Sequence, residues 1–437
     1  MADKTVVLGY GVTGRAVVSA LVSRQEKVRI VDENPTQNLE EVAQESGIEV
    51  VDATKGFSWG EVLKDCSQIV LSPGIRDDHP IFASARDASI PILDEFDLAS
   101  RWDKRPCSAI TGTNGKTTVV TLVVEILNQS GIRAEAAGNT DIPLVQAIDD
   151  SDVEHFVLES SSFRLAHSLN FLASPATWLN FAPDHLDIHR NLDSYEQAKS
   201  KIWDGISRNE DAIANLSDPV VARHAPNGCT SFGTTSSTCR VQNGFLLFRE
   251  EKVIALDDVL RKFPHDLENA QAAVATAIRS GATQEACAEV LANFSGLPHR
   301  MEDLGFVKGV RFINDSKATT PHATISSMRA ISEVTLILGG QNKGLNFGDL
   351  GVLKPNGVVA IGEAADHINE VFQNICPVQI AKNMQEAVEK SVVMTSSGGT
   401  VLLSPGCSSF DWYNSYKERG DEFRSLVMEH GRKVKDE

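Results

Sequence analysis

Between Ala109 and Thr118 the chain reads Ala-Ile-Thr-Gly-Thr-Asn-Gly-Lys-Thr-Thr. Residues of these types in this order suit the holding of a triphosphate. An apolar strand runs into a turn with two glycines, then Lys-Thr, then a helix-like run over residues 119–127. Gly112 and Gly115 let backbone N–H groups approach an anion, and the helix N-terminus adds the positive end of its dipole. Thr113, Asn114 and Thr118 complete the cradle. Lys116 can reach the outer phosphates, and the Thr117 hydroxyl is placed to ligate Mg2+. The position five before Gly115 is Ile110 rather than the glycine of the standard phosphate loop. The setting between strand and helix therefore carries the reading, since Gly-Lys-Thr alone is common.

Three further groups of residues stand where parallel sheets bind ligands, beyond the carboxyl ends of strands. Gly9-Tyr-Gly11-Val-Thr-Gly14 follows a strand expected over residues 5–8 and opens a helix over 15–23. A second strand over 28–31 ends at Asp32, and a third over 69–71 is followed by Ser72-Pro73-Gly74-Ile75. The glycines alone would also serve tight strand–helix packing; with Asp32 and the third loop they predict one shared ligand. Glu159, after the apolar residues 156–158, sits on the same rim as the phosphate loop, where an acid could bind Mg2+. Asn180-Phe-Ala-Pro-Asp184-His185-Leu-Asp187-Ile-His189 follows a strand over 177–180. Zinc would want a cysteine or a His-x3-His pair there, and with neither present a hard cation or a phosphate is favoured. Lys199, in a helix-like run over 195–202, reads on its own as a solvated helix lysine.

Further on, Asn314-Asp315-Ser316-Lys317-Ala318-Thr319, Leu338-Gly-Gly-Gln-Asn-Lys343 and Leu403-Ser404-Pro-Gly-Cys-Ser408-Ser409 are again strand-to-loop transitions rich in small polar residues. Lysines in such loops could pair with a carboxylated substrate, in a cleft shared between domains.

The elements that must position these residues form an α/β chain. At 437 residues it exceeds the size of a single growing core, so two or three domains are expected. Strands over 108–111, 156–158 and 177–180, with a helix over 267–279, predict a mostly parallel central sheet. Strands over 310–313, 334–338, 358–361 and 401–403 predict a further α/β unit. Arg101-Trp-Asp-Lys-Arg-Pro106 reads as a linker, and Leu297-Pro298-His299-Arg300 as a second boundary. The net charge of −18, spread along the chain, argues against a nucleic-acid surface. Seven scattered cysteines without a Cys-x-x-Cys fit a reducing compartment rather than a disulfide framework or zinc site. No signal peptide opens the sequence, and the longest apolar runs fall far short of the ~20 residues that span a bilayer. A cytoplasmic protein without membrane insertion is expected.

Four of these motifs together resemble the signatures of the ATP-dependent Mur ligases: Thr111-Gly-Thr-Asn-Gly-Lys-Thr-Thr118, Asp184-His185-Leu-Asp187, Leu297-Pro-His-Arg300 and Asn314-Asp-Ser-Lys-Ala-Thr319. The likeness runs in order along essentially the whole chain, and is strongest to the branch that joins D-glutamate to UDP-N-acetylmuramoyl-L-alanine. It implies three domains: a Rossmann-like UDP-binding domain (1–93), a central phosphate-loop ATPase (94–296) and a Rossmann-like amino-acid-binding domain (297–437). Carried over residue by residue, it implies that Thr13, Asp32, Ser72, Pro73 and Gly74 hold the UDP end. Asn139 and His185 would place the muramoyl-alanine arm. ATP would lie on residues 112–118, with Asn269, Arg300 and Asp315 contacting the nucleotide from across the domain junction. Two Mg2+ ions would be held by Thr117, Glu159, His185 and a carbamylated Lys199. That last implication overrides the solvated-helix reading, because a cationic lysine would repel Mg2+. Lys116, His185 and Lys199 are then the catalytic set. Lys317, Thr319, Lys343, Ser409 and Tyr416 would hold D-glutamate, and a monomer is expected.

Four positions depart from the family pattern. Arg164 stands where Gln is usual, Asp266 replaces the first Asn of His-Asn-x-x-Asn, Thr320 stands where Asn is common, and Tyr416 where Phe is frequent. The competing readings are a sister ligase adding a diamino acid or extending folylpolyglutamate, an NAD-binding domain fused to an NTPase, and a non-catalytic nucleotide-binding regulator. The glycine fingerprint with Ser72-Pro-Gly-Ile, and the lack of Asp-Asn-Pro-Arg, favour the D-glutamate branch.

Overall fold

The computed structural model describes residues 3–33, 39, 48–139, 142–170, 172–184, 188–329, 331–342 and 347–432. His185, Asp187 and Lys343 lie outside the described residues. The chain divides into two compact units, Met1–Phe294 and Ser295–Glu437.

The first unit holds two parallel sheets. Thr5-Val-Val-Leu8 is nearly all apolar, as a strand covered on both faces must be. It lies in β1 (Lys4–Leu8), beside β2 (Lys27–Asp32), β3 (Glu49–Asp52), β4 (Cys66–Leu71) and β5 (Ile92–Leu93). The order is β3-β2-β1-β4-β5, with every pair parallel. The second sheet contains β6 (Cys107–Thr111), β7 (Ala134–Gly138), β8 (His155–Glu159), β9 (Ala176–Trp178), β10 (Ala212–Asn215) and β11 (Thr230–Phe232) in the order β11-β10-β9-β6-β8-β7. It too is parallel throughout. The strand expected over 177–180 ends at Trp178, because Asn180 turns away to serve the phosphate loop. An antiparallel ribbon of β12 (Cys239–Gln242), β13 (Phe245–Phe248) and β14 (Glu251–Ala255) follows.

The expected linker at residues 101–106 is not free. Helix Glu95–Trp102, opened by a capping box in which Asp94 accepts from Phe96 N and Asp97 from Asp94 N, runs through its first two residues. Arg105 then donates to the carbonyls of Asp150 (2.6 Å), Val153 (2.8 Å) and Ile148 (2.6 Å). One contiguous core, from Val17 and Phe96 to Leu144, Phe156 and Trp178, joins the two sheets.

The second unit contains β15 (Glu302–Val307), β16 (Val310–Asn314), β17 (Val334–Gly339), β18 (Gly357–Ile361), β19 (Val378–Ile380) and β20 (Thr400–Leu403). Its order is β15-β16-β20-β17-β18-β19, parallel except for the β15/β16 hairpin. Helix Tyr416–Arg432 covers this sheet through Phe423 and Val427. Among the described residues no helix is long and apolar enough to cross a membrane.

Candidate active site

β6 delivers the chain into Gly112–Gly115, and helix Lys116–Gln129 leaves it. Gly115, at φ +85°, is the N-cap and supplies no side-chain cap. The first-turn N–H groups of a helix have no intrahelical acceptors, so this end suits an anion. Both glycines are needed for contact. A Cβ at Gly112 would stand 2.9 Å from the Leu179 Cβ, and one at Gly115 would stand 2.5 Å from Asn269 Oδ1. Helix Pro264–Arg279 therefore brings Asn269 against the loop from within the same unit, rather than from across a domain junction as expected. Lys116 Nζ donates to the Gly112 carbonyl (2.8 Å) and the Thr113 carbonyl (3.1 Å), folded over the cradle it lines.

Two braces of this loop are absent from the motif. Asn180 Oδ1 accepts from the N–H groups of Thr113 (3.0 Å) and Asn114 (2.9 Å), while its amide donates to the Asn114 carbonyl (3.2 Å). The Thr113 hydroxyl pairs with Tyr195 OH at 3.1 Å. Sequence offered Asn180 only as part of a polar run, and gave no sign of Tyr195.

Glu159 ends β8 beside the loop and is 5% exposed. Its Oε2 accepts from the Thr117 hydroxyl (2.8 Å), and its Oε1 from the Asn139 amide (3.2 Å). Both donors are neutral, and among the described residues no ion pair reaches this carboxylate. A buried carboxylate without a counter-charge is costly, and a hard cation on Thr117 and Glu159 oxygens would supply one. The residues fit Mg2+.

Lys199 sits near the end of helix Leu192–Ser200, 1% exposed, so the solvated-lysine reading fails. Its Nζ donates to the Gly112 carbonyl at 2.9 Å and lies 4.8 Å from the Tyr195 ring centroid. Burial holds its pKa well below the ordinary lysine value; nearby Lys116 pushes the same way and Asp184 opposes.

The nucleotide-type fingerprint folds at the carboxyl ends of β1, β2 and β4. Tyr10 N donates to Asp32 Oδ2 (2.6 Å), and Ser72 Oγ to the Gly9 carbonyl (2.7 Å). A Cβ at Gly14 would meet the Gly9 carbonyl oxygen at 1.9 Å, whereas among the described residues nothing lies within 4 Å of one at Gly11. Thus Gly14 serves packing and Gly11 leaves space for a ligand. Thr13 lies in the first turn of helix Val12–Ser23, and Gly74 takes φ +97° beyond Ser72 and Pro73. Asp266 pairs with Arg261 Nε at 3.1 Å, and among the described residues its Oδ2 is buried without a partner, beside a cavity of about 10 Å3 that Thr118 also lines. That volume admits one water and no base.

In the second unit Lys317 Nζ lies 4.0 Å from the centroid of the Tyr416 ring, so two residues expected at the amino acid do meet. Buried Arg419 ties the neighbouring loops together. It donates to Ser316 Oγ (3.0 Å), the Ser316 carbonyl (2.8 Å) and the Cys407 carbonyl (3.3 Å), and burial lowers its pKa to about 10. The loops so joined carry Thr319 and Ser409. Asp315 is buried. It accepts from Met301 N (3.2 Å), Ser327 Oγ (2.5 Å) and Ser404 Oγ (3.0 Å), which places it as a holder of the Arg300–Met301 turn. Burial raises its pKa to about 6 against those hydrogen bonds. Thr320 is the N-cap of helix Pro321–Met328, a duty that Asn and Thr both perform, which accounts for one departure.

Comparison with known proteins gives three matches in succession. The Mur ligase MurD-like N-terminal domain matches residues 3–94, the Mur ligase middle domain 110–277, and the Mur ligase glutamate ligase domain 299–407. The UDP-N-acetylmuramoylalanine–D-glutamate ligase of Caldanaerobacter subterraneus subsp. tengcongensis is 33% identical over 438 residues, 97% of both chains. That of Shewanella violacea is 35% identical, over 97% of this chain and 95% of its own. Among solved structures, the pseudomurein peptide ligase type C of Methanothermus fervidus superposes with a TM-score of 0.60 at 17% identity, covering 98% of this chain and 99% of that one. The UDP-N-acetylmuramate–alanine ligase MurC of Thermotoga maritima does so with 0.58 at 18% identity, with the same coverage. These two likenesses concern the fold.

Proposed function

The chain belongs to the Mur ligase family, and on that premise we propose that it joins D-glutamate to UDP-N-acetylmuramoyl-L-alanine in peptidoglycan precursor synthesis, converting ATP to ADP and phosphate. The observation that carries the reading is the sharing of Glu159 between Thr117 and Asn139. One carboxylate thereby ties the phosphate loop to the residue expected at the acyl arm of the substrate.

The substrate carboxylate attacks the γ-phosphate of ATP, giving an acyl phosphate and ADP. The amine of D-glutamate then attacks the activated carbonyl, and the tetrahedral intermediate expels phosphate. Residues 112–118 hold the triphosphate, with Asn269 and Arg300 as its further contacts and Asp315 acting on the nucleotide through the Arg300–Met301 turn that it holds. Lys116 neutralises charge on the phosphoryl group in flight. Thr117, Glu159, His185 and Lys199 as its carbamate would hold Mg2+, which when bound offsets phosphate charge. Thr13, Asp32, Ser72, Pro73 and Gly74 hold the UDP end, and Asn139 and His185 the acyl arm. Lys317, Thr319, Lys343, Ser409 and Tyr416 hold D-glutamate. The working molecule is a cytoplasmic monomer with domains at 1–93, 94–296 and 297–437.

The test is phosphate release from MgATP with UDP-N-acetylmuramoyl-L-alanine, comparing D-glutamate, L-glutamate and a diamino acid. Release with D-glutamate alone, with the amide product by mass, is expected. Release with another amino acid would move the specificity and keep the chemistry; no release with any, bicarbonate present, overturns the reading.

A further inference from the structure

Arg164, one of the departures from the family pattern, is 2% exposed in the short helix Ser162–His167. One terminal nitrogen, NH1, donates to Glu95 Oε1 (2.7 Å) and stands 3.6 Å from Asp94 Oδ1. The other, NH2, donates to Thr13 Oγ1 (3.1 Å) and to the Gly138 carbonyl (3.3 Å). The guanidinium carbon lies 4.9 Å from the Phe96 ring centroid, and Nε is buried with no partner among the described residues. Glu95 is fixed in turn, its two oxygens accepting from Leu144 N (3.2 Å) and Val145 N (3.1 Å).

A buried ion pair contributes little to stability beyond what apolar side chains of the same volume would, so its value is sought in what it orients. Glu95 already neutralises this cation, and its fork is turned toward protein oxygens, so it does not serve as a direct ligand for a diphosphate. Its outer nitrogen, however, touches two places at once. Thr13 is in the first turn of the helix that opens the UDP fingerprint. Gly138 precedes Asn139, whose amide meets Glu159. A threonine oxygen that accepts from Arg164 must send its own proton elsewhere, and the helix N-terminus is where an anionic group is expected.

We propose that Arg164 is a positioning residue for the nucleotide-sugar substrate, turning the Thr13 hydroxyl into a donor toward its diphosphate and fixing the spacing between that group and Asn139. The proposal rests on the function argued above. It accounts for Arg in place of Gln: a planar fork that keeps one nitrogen on an acid can still give the other to two oxygens.

The test uses the full chain and three variants: Arg164→Lys, which keeps a positive charge for Glu95 but loses the fork, Thr13→Val, and the two combined. Binding of UDP and of UDP-N-acetylmuramoyl-L-alanine is measured by calorimetry, alongside KM for each substrate and kcat. Each single variant should weaken both uridine ligands about tenfold, as loss of one oriented hydrogen bond to a charged group does, with KM for ATP unchanged. For UDP, which lacks the acyl arm, the double variant should be no worse than Thr13→Val alone, because there both act through one hydroxyl. Effects on UDP binding that multiply would overturn the proposal, making Arg164 a separate ligand. So would an Arg164→Lys enzyme of lower melting temperature and unaltered uridine binding, since its role would then be structural. A wild-type chain that binds neither ligand would instead sink the parent reading.

Discussion

Lys199 shows how far one side chain departs from what its neighbours in sequence suggest. A lysine in a run reading Glu-Gln-Ala-Lys-Ser-Lys is usually a wet helix face, yet this one is buried against the Gly112 carbonyl. The charged form is what burial penalises, so the folded protein releases the proton more easily than a free lysine does. A neutral amine is the form that adds CO2: the N–C bond forms, one proton leaves, and an anion remains. The sign follows. At fixed dissolved CO2 the carbamate should grow as pH rises through the depressed pKa and go on growing above it until the lysine is fully converted, because each carbamate formed releases a proton. Carbon-13 NMR of the enzyme in labelled bicarbonate should show a carbamate resonance that is absent from Lys199→Arg, because a guanidinium stays protonated. The same variant should lose on the order of 100-fold or more in turnover, several kcal/mol of phosphoryl-transfer assistance. A wild-type enzyme without that resonance, yet fully active, would remove Lys199 from the metal set.

At the scale of elements, the two strand-to-helix turns of the first unit use glycine for different ends. Gly14 exists for packing, its missing Cβ making room for the Gly9 carbonyl, and Gly115 for the loop's left-handed backbone under Asn269. Gly14→Ala should therefore weaken UDP-N-acetylmuramoyl-L-alanine binding by about tenfold or more with ATP affinity intact, and Gly115→Ala should do the reverse. Calorimetric titration of each ligand decides it; equal loss of both would show that the turns do not act separately. These turns were legible because glycine, lysine and small polar residues at strand ends announce themselves locally. The β12–β13 hairpin is marked as plainly, by Gln242-Asn243-Gly244-Phe245 with positive φ at both central residues, although it carries no chemistry. Asn180, Tyr195, Arg164 and Arg419 could not be read in that way. Each acts through partners far along the chain, Arg164 on Thr13 and Glu95, Arg419 on Ser316 and Cys407, and no local pattern marks which polar residue the fold will bury. Arg105 shows the converse, a residue in a stretch that looks like a linker but is pinned by three carbonyls.

For the whole molecule, the division at Phe294 and Ser295 gives each unit a core of its own, and the residues proposed for the nucleotide-sugar and for D-glutamate divide with it. All the residues assigned to the nucleotide-sugar fall within 1–294, and all those assigned to D-glutamate within 295–437. A chain with two cores need not unfold in one step, and a ligand stabilises only the unit that binds it. Scanning calorimetry should resolve two transitions. UDP-N-acetylmuramoyl-L-alanine at 100 times its Kd should add about 2.7 kcal/mol to the first unit, which for its length is a shift of about 4 °C. The other transition should stay in place until D-glutamate is added. Hydrogen exchange followed by peptide mass along the temperature ramp assigns each transition to its residues. A single transition that either ligand moves would mean that the two cores unfold together, and the ligand residues would then have to be sought without regard to the boundary at 294.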